Sequence, residues 1–242
     1  MKGKSFRIGW SSWIARCLFV VSLVIWGNIA PTDAAQTDIE ASCEGQAVSG
    51  AARRLNPDAS SVILVANPGF KDPLWRRTVL LAAPLSNGGH VGLILNRPTD
   101  LTLAQLFPEH ELSQKVTDRV YVGGPFFSDV LVALVRSETP PQAGTVPMAR
   151  DLALVVDESA IDSTIEHLGA NARYFVGMVV WRPGELDREI TGRLWSICRP
   201  TTETVFRSDV RRLWNELSAA THRKQVDGPL STNRLAQMAG QQ

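Results

Sequence analysis

Residues 63–98 read ILVANPGFKDPLWRRTVLLAAPLSNGGHVGLILNRP. Three apolar runs are separated by breaks rich in Pro, Gly, Asn and Asp, and the last run ends in the polar cluster Asn96-Arg97-Pro98. VILVAN, residues 62–67, is short, continuous and β-branched, which predicts a buried strand. Asn67-Pro68-Gly69 ends it, because Pro68 has no N–H for a ladder and Gly69 tolerates positive φ. RTVLLAAP (77–84) predicts a second strand and HVGLILN (90–96) a third. Ser86-Asn87-Gly88-Gly89 is a hairpin-type turn, so the second and third strands should run antiparallel.

Further along, TLAQLF (102–107) predicts a short helix capped by Thr99 or Asp100. RVYVGGP (119–125) predicts a strand with a Gly-Gly-Pro break, and DVLVALVRS (129–137) another strand. Residues 138–149, rich in Pro, Gly and Thr, read as an exposed loop. LALVVD (152–157), RYFVGMVVW (173–181) and RLWSIC (193–198) complete the predicted strands. Between them lie a helix over 159–169, with Ile161, Ile165 and Leu168 on one face, and a short helix beginning near Pro183. SDVRRLWNEL (208–217) closes the domain as an amphipathic helix with Val210, Leu213, Trp214 and Leu217 as its stripe. Strands and short helices mix without a regular βαβ rhythm. The expectation is an α+β fold, a single compact domain over 61–218 whose large mixed, mostly antiparallel sheet carries a few short helices. Residues 219–242 are polar and read as a mobile tail, and 35–60 as a flexible lead-in.

The first 34 residues read as an export signal. Lys2, Lys4, Arg7 and Arg16 form a basic region, residues 17–27 (CLFVVSLVIWG) an uncharged apolar one, and Thr32-Asp33-Ala34 a loose cleavage pattern. An uncleaved N-terminal anchor is the alternative, although the run is short beside the roughly 20 residues of a span. Export places the protein in the periplasm or cell envelope; retention leaves it membrane-anchored or cytoplasmic. Cleavage removes four basic residues and one acidic one, taking the formal net charge from +1 to −2. That balance does not support DNA as a partner. Cleavage also removes Cys17. Cys43 and Cys198 remain, and in an oxidising compartment they are a candidate disulfide; two reduced thiols are the alternative.

The sequence carries no G-x-S-x-G elbow, no H-E-x-x-H, no C-x-x-C, no P-loop and no G-x-G-x-x-G. It therefore offers no candidate catalytic residue, metal ligand or cofactor site. The strongest polar candidates are two. Asn96 and Arg97 end a predicted central strand, and Pro98 favours extended geometry at Arg97, which could aim its guanidinium at a carboxylate or phosphate. The other reading makes Asn96 a loop cap and pairs Arg97 with Asp100 or Glu185. Trp181, Arg182 and Glu185 form the second candidate; Glu185 and Asp187 stand two apart and do not share a helix face.

Taken in order, Ala66-Asn67-Pro68, Asp72-Pro73, Arg77-Thr78-Val79, Gly92-Leu93-Ile94-Leu95-Asn96-Arg97-Pro98, Gly123-Gly124-Pro125, Trp181-Arg182-Pro183-Gly184-Glu185-Leu186-Asp187, Trp195, Val205-Phe206 and Trp214 resemble the YqgE/AlgH family of bacterial proteins. The likeness covers about residues 62–218. It implies a compact α+β fold whose large mixed sheet folds on itself. Members have been proposed as transcriptional regulators of exopolysaccharide synthesis, and the family carries no established catalytic residues. The chain departs from the family pattern where Gly177-Met178-Val179-Val180-Trp181 stands for the usual G-Y-A-G-W, where Gly184-Glu185-Leu186-Asp187 stands for G-Q-L-E, and in its export signal. The resulting expectation is a non-enzymatic exported protein that binds a small anionic ligand or a protein partner, with Asn96, Arg97 and the Trp181–Glu185 turn on one loop end. A cytoplasmic or membrane-tethered regulator and a hydrolase are the alternatives.

Overall fold

The structure, a computed structural model, describes Cys43 and residues 61–138, 144–149, 151–168 and 171–227. The expected export signal over residues 1–34, the lead-in apart from Cys43, and the tail beyond residue 227 lie outside the described residues.

Ten strands form one sheet: β1 (Val62–Ala66), β2 (Val79–Pro84), β3 (His90–Ile94), β4 (Pro98–Thr102), β5 (Arg119–Val122), β6 (Phe126–Arg136), β7 (Thr145–Ala149), β8 (Leu152–Val155), β9 (Ala172–Trp181) and β10 (Trp195–Cys198). Among the described residues five helices accompany them: α1 (Leu103–Leu106), α2 (Glu158–Leu168), α3 (Glu185–Thr191), α4 (Thr202–Val205) and α5 (Leu213–Asp227). A 3-10 turn spans Glu111–Lys115. The strand order is β10-β1-β2-β3-β9-β6-β8-β7, with β4 joined through β5. Every pairing is antiparallel except β5 with β9. The α+β class with a mixed, mostly antiparallel sheet is thus the observed one. Among the described residues no helix is long and apolar enough to cross a membrane.

The sheet curls so that its two halves enclose one core. Ile63, Val65, Leu81 and Leu93 from one half meet Val132, Leu134, Leu154 and Phe175 from the other. The alternate residues face outward into two further clusters. Leu64, Leu80 and Ile94 pack beneath α3 and the loop after β1. Ala133, Val135, Ala153 and Val155 pack beneath α2 and the 3-10 turn. Both faces are therefore covered, which is why these strands read as unbroken apolar runs and not as alternating ones. The curl brings the far edge round to the near one: the Ser61 N–H donates to the Met148 carbonyl of β7 at 3.3 Å.

β9 serves both halves, and Gly177 is its hinge. Before it, Phe175 faces the inner core and Tyr174 the α2 side; after it, Met178 packs on the inner core and Val179 and Trp181 on the α3 side. The inward positions shift from odd to even numbers, the signature of one inserted residue. Gly177 takes φ 74°, and a Cβ there would strike the Gly124 carbonyl, while a Cβ on Gly123 or Gly124 would strike the backbone of residues 177–179. The Gly-Gly-Pro break is thus a close approach of two strands. Arg173, also on β9, is buried; it donates to the Val205 and Arg207 carbonyls at 2.7 Å each and lies 4.6 Å from the Tyr121 ring centroid.

Several expectations are corrected. Thr99 and Asp100 do not cap α1; they lie in β4, and Thr102 caps it in a capping box with Gln105. Residues 145–149 are not a loop but the edge strand β7, where Pro147 is tolerated because an edge needs fewer ladder donors. The closing helix continues to Asp227, so its last turns replace the start of the supposed mobile tail; Ala220 is buried against the inner core and anchors the extension. Cys43 and Cys198, the candidate pair, are joined by a disulfide, with Cα atoms 4.3 Å apart and a sequence separation of 155. Both cysteines are buried, at 6% and 1% exposure.

Candidate functional site

Asn96 and Arg97 stand where β3 ends beside the start of β2. The Asn96 carboxamide is spent on the neighbouring strand: its Oδ1 accepts from the Val79 N–H at 3.0 Å and its Nδ2 donates to the Arg77 carbonyl at 2.8 Å. Asn96 is therefore a clamp between the two strands. Arg97 is half-buried. Its Nη2 donates to the Leu74 carbonyl and, at 2.8 Å, to the Thr78 hydroxyl. Burial lowers the pKa of its guanidinium from the ordinary value. The expected ion pairs are not made. Asp100 pairs with Arg119 at 2.7 Å, and a Glu185 carboxylate oxygen accepts from the Arg182 N–H at 2.9 Å. Among the described residues no carboxylate lies within ion-pair distance of Arg97.

The Trp181–Glu185 turn is elsewhere. β3 and β9 run antiparallel with His90 opposite Trp181. Asn96 lies six residues past His90, about 20 Å away along an extended strand. The two candidates thus occupy opposite ends of β3, and the shared loop end expected from sequence does not exist. Trp181 is 4% exposed and packs across Gly92. Its indole N–H donates to a Glu189 carboxylate oxygen at 3.1 Å, and the same oxygen accepts from Trp195 at 2.7 Å. Phe70 and Trp75 meet Trp195 edge-on, with centroids 5.3 Å and 6.1 Å away. Arg182 is exposed, and Glu185, the first residue of α3, accepts from the Arg182 N–H of the preceding turn. This second candidate is a packed aromatic joint organised by Glu189. Sequence reasoning missed Glu189; its place one turn after Glu185 on the predicted short helix was the available signal.

One constellation imitates a nucleophilic triad. His110 Nδ1 lies 2.7 Å from Ser113 Oγ, and His110 Nε2 lies 3.4 Å from Asp162. Ser113 is completely buried, so its hydroxyl cannot meet a carbonyl carbon in solution. The set ties the 3-10 turn to α2. Among the described residues, no group of three or more His, Cys, Asp or Glu is placed to hold a metal ion.

Comparison with known proteins places this fold. The AlgH-like family matches residues 63–225. A UPF0301 protein of Caulobacter vibrioides is 28% identical over 163 residues, covering 65% of this chain and 84% of the relative. One of Mycolicibacterium smegmatis is 27% identical over 173 residues, covering 70% and 85%. The solution structure of AlgH from Pseudomonas aeruginosa superposes with a TM-score of 0.54 at 26% identity, over 72% of this chain and 92% of that one. A crystal structure of a Corynebacterium diphtheriae protein, DIP2367, shares the fold with a TM-score of 0.56 at 22% identity, over 67% and 91%. With most of its ordered sheet inside the matched range, the chain belongs to the AlgH-like family.

Proposed function

We propose that the protein is exported and works by binding, not by catalysis. The observation that carries this reading is the Cys43–Cys198 disulfide, which joins the segment after the apolar N-terminus to β10 inside the inner core. Such bonds persist where thiols are oxidised and are rare where they are kept reduced. The sealed Ser113 supports binding over hydrolysis, because this nucleophile-like arrangement, found among the described residues, is buried. Arg97 is the group on which an anionic ligand would be held, without help from Trp181. Asn96 clamps the neighbouring strand at Arg77 and Val79, and Arg182 and Glu185 belong to the distant turn.

Fractionation of native cells tests the reading. The chain is expected in the envelope fraction and unlabelled by a fluorophosphonate probe for active serines. A cytosolic chain would overturn the export reading and restore the regulator alternative. Labelling at Ser113 would overturn the non-enzymatic one.

A further inference from the structure

We propose that the strand ends around Arg77, Arg97 and Arg193 form a binding surface for a small ligand carrying several oxyanion groups, phosphates or carboxylates. This rests on the binding reading above but not on export.

The surface is built by a repeated device. Arg77 and Arg193 adopt left-handed backbone conformations, with φ of 56° and 57°. A side chain other than glycine is strained there, and such strain persists only where neighbouring structure enforces it. An asparagine enforces it each time. Asn96 Nδ2 donates to the Arg77 carbonyl at 2.8 Å, and Asn67 Nδ2 donates to the Arg193 carbonyl at 2.6 Å. Each asparagine is fixed in turn at its Oδ1, Asn96 by the Val79 N–H and Asn67 by the Ser196 hydroxyl. Both clamps sit at the same end of the sheet, where β1 and β3 end and β10 and β2 begin. Strain held at two arginines on one edge points to what the arginines do there.

Their charges are left available. Among the described residues, none of Lys71, Arg76, Arg77, Arg97 and Arg193 is within ion-pair distance of a carboxylate. The acids nearby are otherwise engaged. Asp72 accepts from the Leu74 N–H at 2.7 Å, Glu189 holds two indoles, and Glu216 pairs with Arg207 and Arg212. Arg77 and Arg97 are also held in place. Arg77 lies 5.2 Å from the Trp214 ring centroid, and Arg97 is tied to Leu74 and Thr78. Trp214 belongs to the first turn of α5, and its indole N–H donates to the Ala66 carbonyl at 2.7 Å, which puts the start of that helix beside this edge. Across β10, β1, β2 and β3 the arginine-bearing ends span three strand spacings, about 14 Å. That is too wide for one oxyanion and suits a ligand with several.

The disulfide-bonded full chain, titrated calorimetrically at low salt with tripolyphosphate and separately with citrate, tests this. Saturable binding of either probe is expected, weakened at least tenfold in Arg97→Gln and in Arg77→Asn plus Arg193→Asn, and unchanged in Arg119→Gln. Asparagine is chosen because it tolerates the left-handed backbone. Preference for tripolyphosphate would identify the ligand groups as phosphates, and preference for citrate as carboxylates. On the wild-type chain, which needs no substitution to fold, bound probe should protect Arg77, Arg97 and Arg193 from phenylglyoxal. No saturable binding of either probe, unaltered affinity in both arginine variants, or protection confined to other arginines would overturn the proposal. The arginine surface could fail in this way while the chain is still found in the envelope, so the two readings are separable.

Discussion

Asn96 reaches across the sheet to hold the backbone carbonyl of Arg77 at 2.8 Å, at a residue whose φ is 56°. The same carboxamide satisfies the N–H of Val79, a fully buried residue. One side chain thus fixes both the register at the start of β2 and the unusual turn that precedes it.

Removing that clamp should be costly. Asn96→Ala leaves a buried N–H without a partner, and such a loss costs about 1–3 kcal/mol. Urea unfolding should show the drop. Arg77→Gly in the same background should recover part of it by relieving the left-handed strain. An additive or worse double variant would show that the clamp and the strain are uncoupled.

Gly177→Ala should be among the more damaging single changes. It combines positive φ with a collision against the Gly124 carbonyl. Together these predict a loss of about 2–4 kcal/mol. The denaturation midpoint should fall while the loop variant Gly69→Ala, with open space around its added carbon, changes little.

Much of this fold was legible in the sequence because burial on both faces leaves unbroken apolar runs. β1, β2, β3, β8 and β9 announce themselves this way. β4 and β7 did not, since an edge strand with Pro98 or Pro147 carries turn-like residues where a central strand would carry Val or Ile. Arg97 was legible as a polar group ending a strand. Its separation from Trp181 was not, because the antiparallel register of β3 on β9 is a tertiary fact. The clamp pairing Asn67 with Arg193 bridges 126 residues, a distance over which sequence spacing carries no information.

His90 gives the protein a pH dependence. It is buried on β3, and desolvation lowers its pKa from the usual 6.5, with Asp187 opposing more weakly. The folded chain therefore binds fewer protons than the unfolded one just below that value. Stability is fully present above about pH 6.5 and falls as pH drops through the window down to the folded pKa. His90→Gln should flatten that part of the profile relative to wild type in denaturation at pH 5 to 7. An unchanged slope would assign the titration to another group.

Glu189→Ala should loosen the aromatic joint. It leaves the indole N–H groups of Trp181 and Trp195, both buried, without their acceptor. A loss of about 2–3 kcal/mol is expected, with an altered tryptophan emission. Wild-type emission and stability in the variant would mean that both indoles find other acceptors.

The most direct measurement on the central claim is the intact mass of the protein recovered from fractionated native cells, before and after alkylation without reductant. An exported, disulfide-bonded binding protein should lack residues 1–34 and take up no alkyl group, because Cys17 is gone and Cys43 and Cys198 are joined. A full-length chain taking up three alkyl groups would contradict the account and place the protein in a reducing compartment.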